Sequence, residues 1–203
     1  YGFPEVPQRL GMLREGVDIM RQAWTTGSAT LQGRHYQVDG AIVRPLPVQE
    51  GGIPLWVAGG GEKVTLKIAA AAADYTNFGG TAEEFTHKAE VLRGHCAALG
   101  RDAGEITLSS NFNTVVGATE AEVRDRVAAV VARLRPYVGE ERAGHIEREY
   151  LSSDGVGTPE QVVERLAGRA RLGLGYSIHY FPELAYDTTG VELFEREVIP
   201  ALS

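Results

Sequence analysis

A chain of 203 residues with 43% hydrophobic side chains has enough apolar material for a buried core, which excludes disordered and fibrous classes. Its formal charge of −7 argues against nucleic acid or an anionic membrane as partner, while leaving room for a local cationic pocket. The lone cysteine, Cys96, excludes an internal disulfide framework and suits a reducing compartment. No apolar stretch approaches the ~18 residues of a membrane span and no signal peptide precedes the first helix, so a cytoplasmic protein is expected.

From the N-terminus, a first helix is predicted from about Pro7 to Thr25, because Leu10, Leu13, Val17, Met20 and Trp24 recur at helical spacing. Gly27 ends it. Leu31 to Val38 and Ala41 to Arg44, separated by Asp39-Gly40, are predicted as a small hairpin. Pro45 and Pro47 then hold the chain extended. Leu55 to Ala58 is apolar without alternation, as expected of a parallel strand buried on both faces. A helix from Gly61 to Ala73, a strand from Asp74 to Phe78, a helix from Ala82 to Leu99 and a strand from Ile106 to Phe112 follow.

Thr119-x-x-Glu122 is a capping-box pattern ahead of Val123, Val127, Val130 and Leu134, which predicts another helix. A polar helix at roughly Glu140 to Tyr150 precedes Ser152 to Gly157, read as a flexible link. Thr158-Pro-Glu-Gln161 marks a helix start with a capping threonine and proline at the first helical position, and Val162, Leu166 and Ala170 continue its buried face. Tyr176 to Phe181 is the fourth strand. The last helix is predicted from Val191 to Leu202, with Phe194, Val198 and Leu202 on one side.

Gly59, Gly60 and Gly61 remove every Cβ where the chain turns from strand to helix. The unpaired N–H groups that open the helix, with the positive end of its dipole, suit an anion such as phosphate. Tight βα packing calls for the same glycines with no ligand, so this segment alone leaves both readings open. The dinucleotide pattern Gly-x-Gly-x-x-Gly fails at Val64. The P-loop pattern fails because Lys63 follows Glu62 and precedes Val64.

Strands alternating with helices predict parallel βα units, which bind ligands at strand C-termini. The expected fold class is α/β, with four parallel βα units and a small hairpin insertion in a single domain, 1–203. Such a set is too small to close an eight-stranded barrel and leaves two unpaired edges. An N-terminal half is therefore expected to be missing, in keeping with a start at Tyr1. By itself the chain is expected to associate, a homo-oligomer being one outcome.

The segments Tyr1-Gly-Phe-Pro4, Met20-Arg-Gln-Ala-Trp24, Gly33-Arg-His-Tyr36 and Pro54 to Lys63 occur in order, followed by Ala73 to Asn77, Lys88 to Asp102, Gly157 to Val162 and Val198 to Leu202. Together they resemble the luciferase-like family of flavin and deazaflavin oxidoreductases across nearly the whole chain. The resemblance implies the C-terminal half of a TIM (β/α)8 barrel, strands five to eight. It implies that Gly59, Gly60, Gly61, Glu62 and Lys63 hold a cofactor phosphate, with Asn77, Phe78 and Gly79 bordering the cofactor. Lys88 to Asp102 and Asn77-Phe-Gly most resemble the branch that uses coenzyme F-420, an 8-hydroxy-5-deazaflavin. FMN is the alternative cofactor, in an FMN-dependent monooxygenase. The expected activity of the intact protein is hydride transfer between the deazaflavin and a small-molecule organic substrate. The family's polar groups near the reactive ring come mainly from strands one to four, so no catalytic residue is assigned. A non-catalytic cofactor-binding remnant, and a phosphate-binding isomerase or aldolase, are the competing readings.

Other candidates read as structural. The histidines, at 35, 87, 95, 145 and 179, lack metal-ligand spacing, and no metal site is expected. His179 shares a strand face with Ser177 and Phe181 and is expected to pack or hydrogen-bond. Ser177 fails the nucleophile-elbow pattern at its last position. Cys96 falls on a helical face with Phe85, Ala89, Leu92 and Leu99, as a core thiol would. Lys63 and Lys67 lie a turn apart, and Lys63 is near enough in sequence to reach an anion.

Overall fold

A computed structural model describes residues 2–49 and 51–203; Tyr1, the first residue of the Tyr1 to Pro4 signature, and Glu50 lie outside them. The chain forms two compact units, Tyr1–Phe78 with His87–Thr107, and Gly79–Thr86 with Leu108–Ser203.

In the first unit, helix α1 (Val6–Thr26) has Pro7 in its first turn and ends where Gly27, at φ 77°, returns its N–H to the Ala23 carbonyl. Strands β1 (Ser28–Gln32) and β2 (Gln37–Ile42) form an antiparallel hairpin. Its turn is Gly33 to Tyr36; the predicted turn, Asp39-Gly40, lies within β2. The cause is remote in sequence. The Glu15 carboxylate of α1, 5% exposed, accepts from the backbone N–H groups of Arg34, His35 and Tyr36 at 2.9, 2.8 and 2.9 Å. Burial pushes this carboxyl up, but the three donors outweigh it and hold it below its usual range.

Strands β3 (Trp56–Ala58) and β4 (Tyr75–Asn77) run parallel in register, with Trp56 opposite Tyr75 and Ala58 opposite Asn77. Helix α2 (Thr65–Ala72) connects them, starting later than the predicted Gly61 because residues 61–64 form a wide turn, closed by the Leu66 N–H on the Gly61 carbonyl at 3.0 Å. Two guanidiniums meet its far end. Arg101 donates to the carbonyls of Ala70 and Ala73 at 3.0 and 2.8 Å, and Arg21 donates to that of Ala72 at 3.2 Å while pairing with Asp74 at 2.7 Å. Helix α3 (Ala82–Leu99) buries Phe85, Ala89, Leu92 and Cys96 as predicted, whereas Leu99 is 50% exposed at the helix end. Burial pushes the Cys96 thiol up, as in an inert core position.

In the second unit, β5 (Thr107–Asn113) is followed by the short β6 (Val115–Val116), the helices α4 (Glu120–Val138) and α5 (Glu140–Leu151), and β7 (Val156–Gly157). Helix α6 (Pro159–Arg171) then leads into β8 (Leu174–Tyr180), which runs parallel to β5 with Phe112 opposite His179. Thr119 caps α4 by accepting from the Glu122 N–H, and the Glu122 carboxylate returns to the Ala118 N–H. The segment read as a flexible link is fixed in place. Val156 pairs with Val115, the Ser153 hydroxyl donates to the Asn113 carbonyl at 2.7 Å, and Asp154 pairs with Arg169 at 2.6 Å. Small polar residues read as linker because their partners lie far along the chain.

One cluster packs α4 and α5 around Val115, Val127, Val131 and Tyr150; another packs Phe112, Val162, Leu166, Phe194 and Val198. The last helix is interrupted: α7 (Thr189–Leu193), a π turn at Phe194–Val198 and α8 (Ile199–Leu202). Pro200 has no N–H for an α-helical bond, and the Ile199 N–H reaches back to the Phe194 carbonyl. The wider turn keeps Phe194 and Val198 buried but leaves Leu202 40% exposed, against the single predicted stripe.

Candidate functional site

The loop between β3 and α2 begins at Gly59, whose φ of 119° excludes most side chains and whose N–H donates to the Asn77 carbonyl at 2.8 Å. The next N–H groups, of Gly60, Gly61, Glu62 and Lys63, donate to no protein acceptor among the described residues. A run of unpaired donors at the opening of a helix is chemically suited to an anion. Beside it lies a cavity of about 440 Å³ lined by Leu10 and residues 60–65. A side chain on Gly61 would strike the Thr65 hydroxyl at 2.9 Å, so glycine here serves the turn as well as any ligand.

Glu62 fixes the outer part of the loop to α3. Its carboxylate lies 3.0 Å from His87 Nε2, and its carbonyl accepts from His95 Nε2 at 2.8 Å, which calls for the tautomer protonated there. Lys88, between them, brings Cε and Nζ within 2.9 Å of where a Cβ of Gly60 would stand. A cation therefore lies over the loop that sequence reasoning did not find. The available signal was helical spacing: His87, Lys88 and His95 share one side of α3. Lys63 lines the loop cavity and also a second hollow of about 320 Å³ that includes Lys67, Arg14 and Asp18.

Of the residues expected to border a cofactor, Asn77 meets the loop through its carbonyl and Phe78 is buried at 2% exposure. Gly79 belongs to the second unit, where it lines a different cavity. His179 sits in an aromatic setting, its ring centroid 4.6 Å from Phe194 and 5.5 Å from Phe112. The Thr114 hydroxyl donates to the Phe112 carbonyl at 3.3 Å, which leaves it to accept from His179 Nδ1 at 2.8 Å. Nε2 is buried without a partner among the described residues, and burial lowers the imidazole pKa to about 4. It is neutral at pH 7. Among the described residues no group of His, Cys, Asp and Glu could hold a metal ion, and no helix is long and apolar enough to cross a membrane.

A family model described as luciferase-like monooxygenase matches residues 1–175. The chain belongs to the luciferase-like monooxygenase family. Within that family it is 36% identical over 107 residues to the F420-dependent glucose-6-phosphate dehydrogenase of Mycobacterium leprae, covering 51% of this chain and 31% of that protein. Against the enzyme of the same name from Mycolicibacterium smegmatis it is 25% identical over 215 residues, covering 98% of this chain. This luciferase-like chain thus spans 63% of that relative's length. Its fold matches a solved F420-dependent secondary alcohol dehydrogenase in complex with an F420-acetone adduct, with a TM-score of 0.76 at 19% identity, over 100% of this chain and 64% of that one.

Proposed function

We propose that this chain is the cofactor-holding part of a coenzyme F-420-dependent oxidoreductase, with β3, β4, β5 and β8 as strands five to eight of a (β/α)8 barrel. The observation that carries the reading is the set of N–H groups from Gly60 to Lys63 without protein acceptors among the described residues. Curated relatives named for F420 support the choice of cofactor.

The residues present fit a phosphate-bearing cofactor. The loop offers donors and no competing side chain at Gly60, and Lys88 adds a positive charge beside it. His95 holds the Glu62 carbonyl, and because a trans peptide directs C=O and N–H oppositely, it thereby aims the Lys63 N–H away from α3. Bound coenzyme F-420 would supply the hydride chemistry; the protein's residues here bind and orient.

The test is a fluorescence titration of the full-length protein with coenzyme F-420 and, in parallel, with FMN. Saturable deazaflavin binding that weakens in Gly60→Val supports the reading. Unchanged affinity in a folded Gly60→Val protein removes this loop from it, and preference for FMN moves the chain to the flavin branch.

A further inference from the structure

The second unit contains a cavity of about 290 Å³ lined by residues 79–81, 110–112, 152–154 and Arg169. Arg169 is the cation of this lining and is only 9% exposed. Its Nε donates to Asp154 Oδ2 at 2.6 Å, its Nη2 donates to the Gly80 carbonyl at 3.0 Å, and its guanidinium lies 6.0 Å from the Phe85 ring centroid. Nη1 has no protein acceptor among the described residues. The hydroxyls of Ser152 and Ser153 are committed as donors to the carbonyls of Glu149 and Asn113, at 3.1 and 2.7 Å. A fixed guanidinium edge is therefore left as a donor for a ligand.

We propose that this cavity is a binding subsite for an uncharged oxygen, the carbonyl or hydroxyl of a small organic molecule, and that Asp154 sets the choice by turning away phosphates and carboxylates. Among the described residues Asp154 is the one carboxylate in the lining, and it already neutralises Arg169, so the pair carries no net charge. An incoming anion would have to give up water and sit beside that carboxylate, with like charges in a confined space. A neutral acceptor faces neither cost and still receives N–H donors from a charged group. Phe112 and Gly79, which has open space where a Cβ would stand, give room for the apolar body of such a molecule. Naming the occupant a substrate rests on the oxidoreductase reading; the selectivity of the cavity does not.

Nitrogen-15 NMR of the protein, following the amides of Gly80 and Ser153 and the Arg169 Nε–H, tests this with cyclohexanone and inorganic phosphate as probes. The ketone is expected to shift these signals saturably, and phosphate to leave them unmoved at tenfold higher concentration. In Asp154→Asn, phosphate is expected to bind at least tenfold more tightly than in the unaltered protein. If phosphate binds the unaltered protein as tightly as the ketone does, or if neither probe moves these signals, the proposal is overturned. Phosphate affinity unchanged in Asp154→Asn removes Asp154 from it. The unaltered protein gives a decision even where the variant does not fold. Failure here leaves the Gly60 titration untouched, so the two readings fall separately.

Discussion

Acidification should weaken this fold through His179. The imidazole has an ordinary pKa of 6.5 and is held near about 4 in the folded state by burial. Between those values the unfolded chain binds a proton that the native chain refuses. The native advantage is therefore complete above about pH 6.5 and is lost as pH falls toward 4. The full separation corresponds to a ceiling of about 3 kcal/mol, and between about pH 7 and about pH 5 it amounts to about 2 kcal/mol. Urea denaturation at those two pH values, on the unaltered protein and on His179→Leu, isolates the contribution from other titrating groups. The unaltered protein should lose about 2 kcal/mol more than the variant. Equal losses in the two proteins would refute the reasoning and place the low-pH sensitivity elsewhere.

On the oxidoreductase reading, His179→Asn should leave turnover of the full-length protein within about tenfold, a barrier change of ~1.4 kcal/mol, because the ring serves packing; a thousandfold loss with cofactor affinity intact would contradict this. Gly60→Val should weaken deazaflavin binding by at least ~1 to 3 kcal/mol, read by titration, since donors left unpaired cost about that much. Arg126 bonds Glu122, Glu183 and Asp187 at 2.8, 2.8 and 3.1 Å, and Glu183 is only 4% exposed. Arg126→Met should thus cost about 3–5 kcal/mol at neutral pH, partly recovered by adding Glu183→Gln; a chemical melt showing no recovery would separate the loss from the stranded carboxylate. Glu15→Ala should speed amide exchange at Arg34, His35 and Tyr36, and unchanged protection there would show that the hairpin turn holds itself.

Local signals were legible in the sequence where the cause is local. The Thr119 cap and the apolar spacing of α3 put helices where they form, and the uninterrupted Leu55 to Ala58 run marks a parallel strand, though with Leu55 and Val57 buried and Trp56 and Ala58 exposed, not buried on both faces as expected. What could not be read depends on distant partners. The hairpin turn is organised by Glu15, a helix away, and Asp154 is ordered by Arg169 on the following helix. The glycine loop is visible as a chemical possibility, but His87, Lys88 and His95 come to it only because α3 packs beside it. Pro200 stood in plain sight, yet its effect was to widen the preceding turn instead of ending the helix.

The two arginines at the end of α2 make that helix electrically one-sided. With the Ala70, Ala72 and Ala73 carbonyls met by Arg21 and Arg101, the unmet demand of the helix lies mainly at its opposite end, on the loop donors. An anion arriving there completes the helix as a missing cap would, so occupancy and helix integrity are thermodynamically linked. Filling the loop should slow hydrogen exchange along Thr65 to Ala72, and loosening the guanidinium end, as by Arg101→Met, should be felt as weaker anion affinity at a loop the arginine never touches.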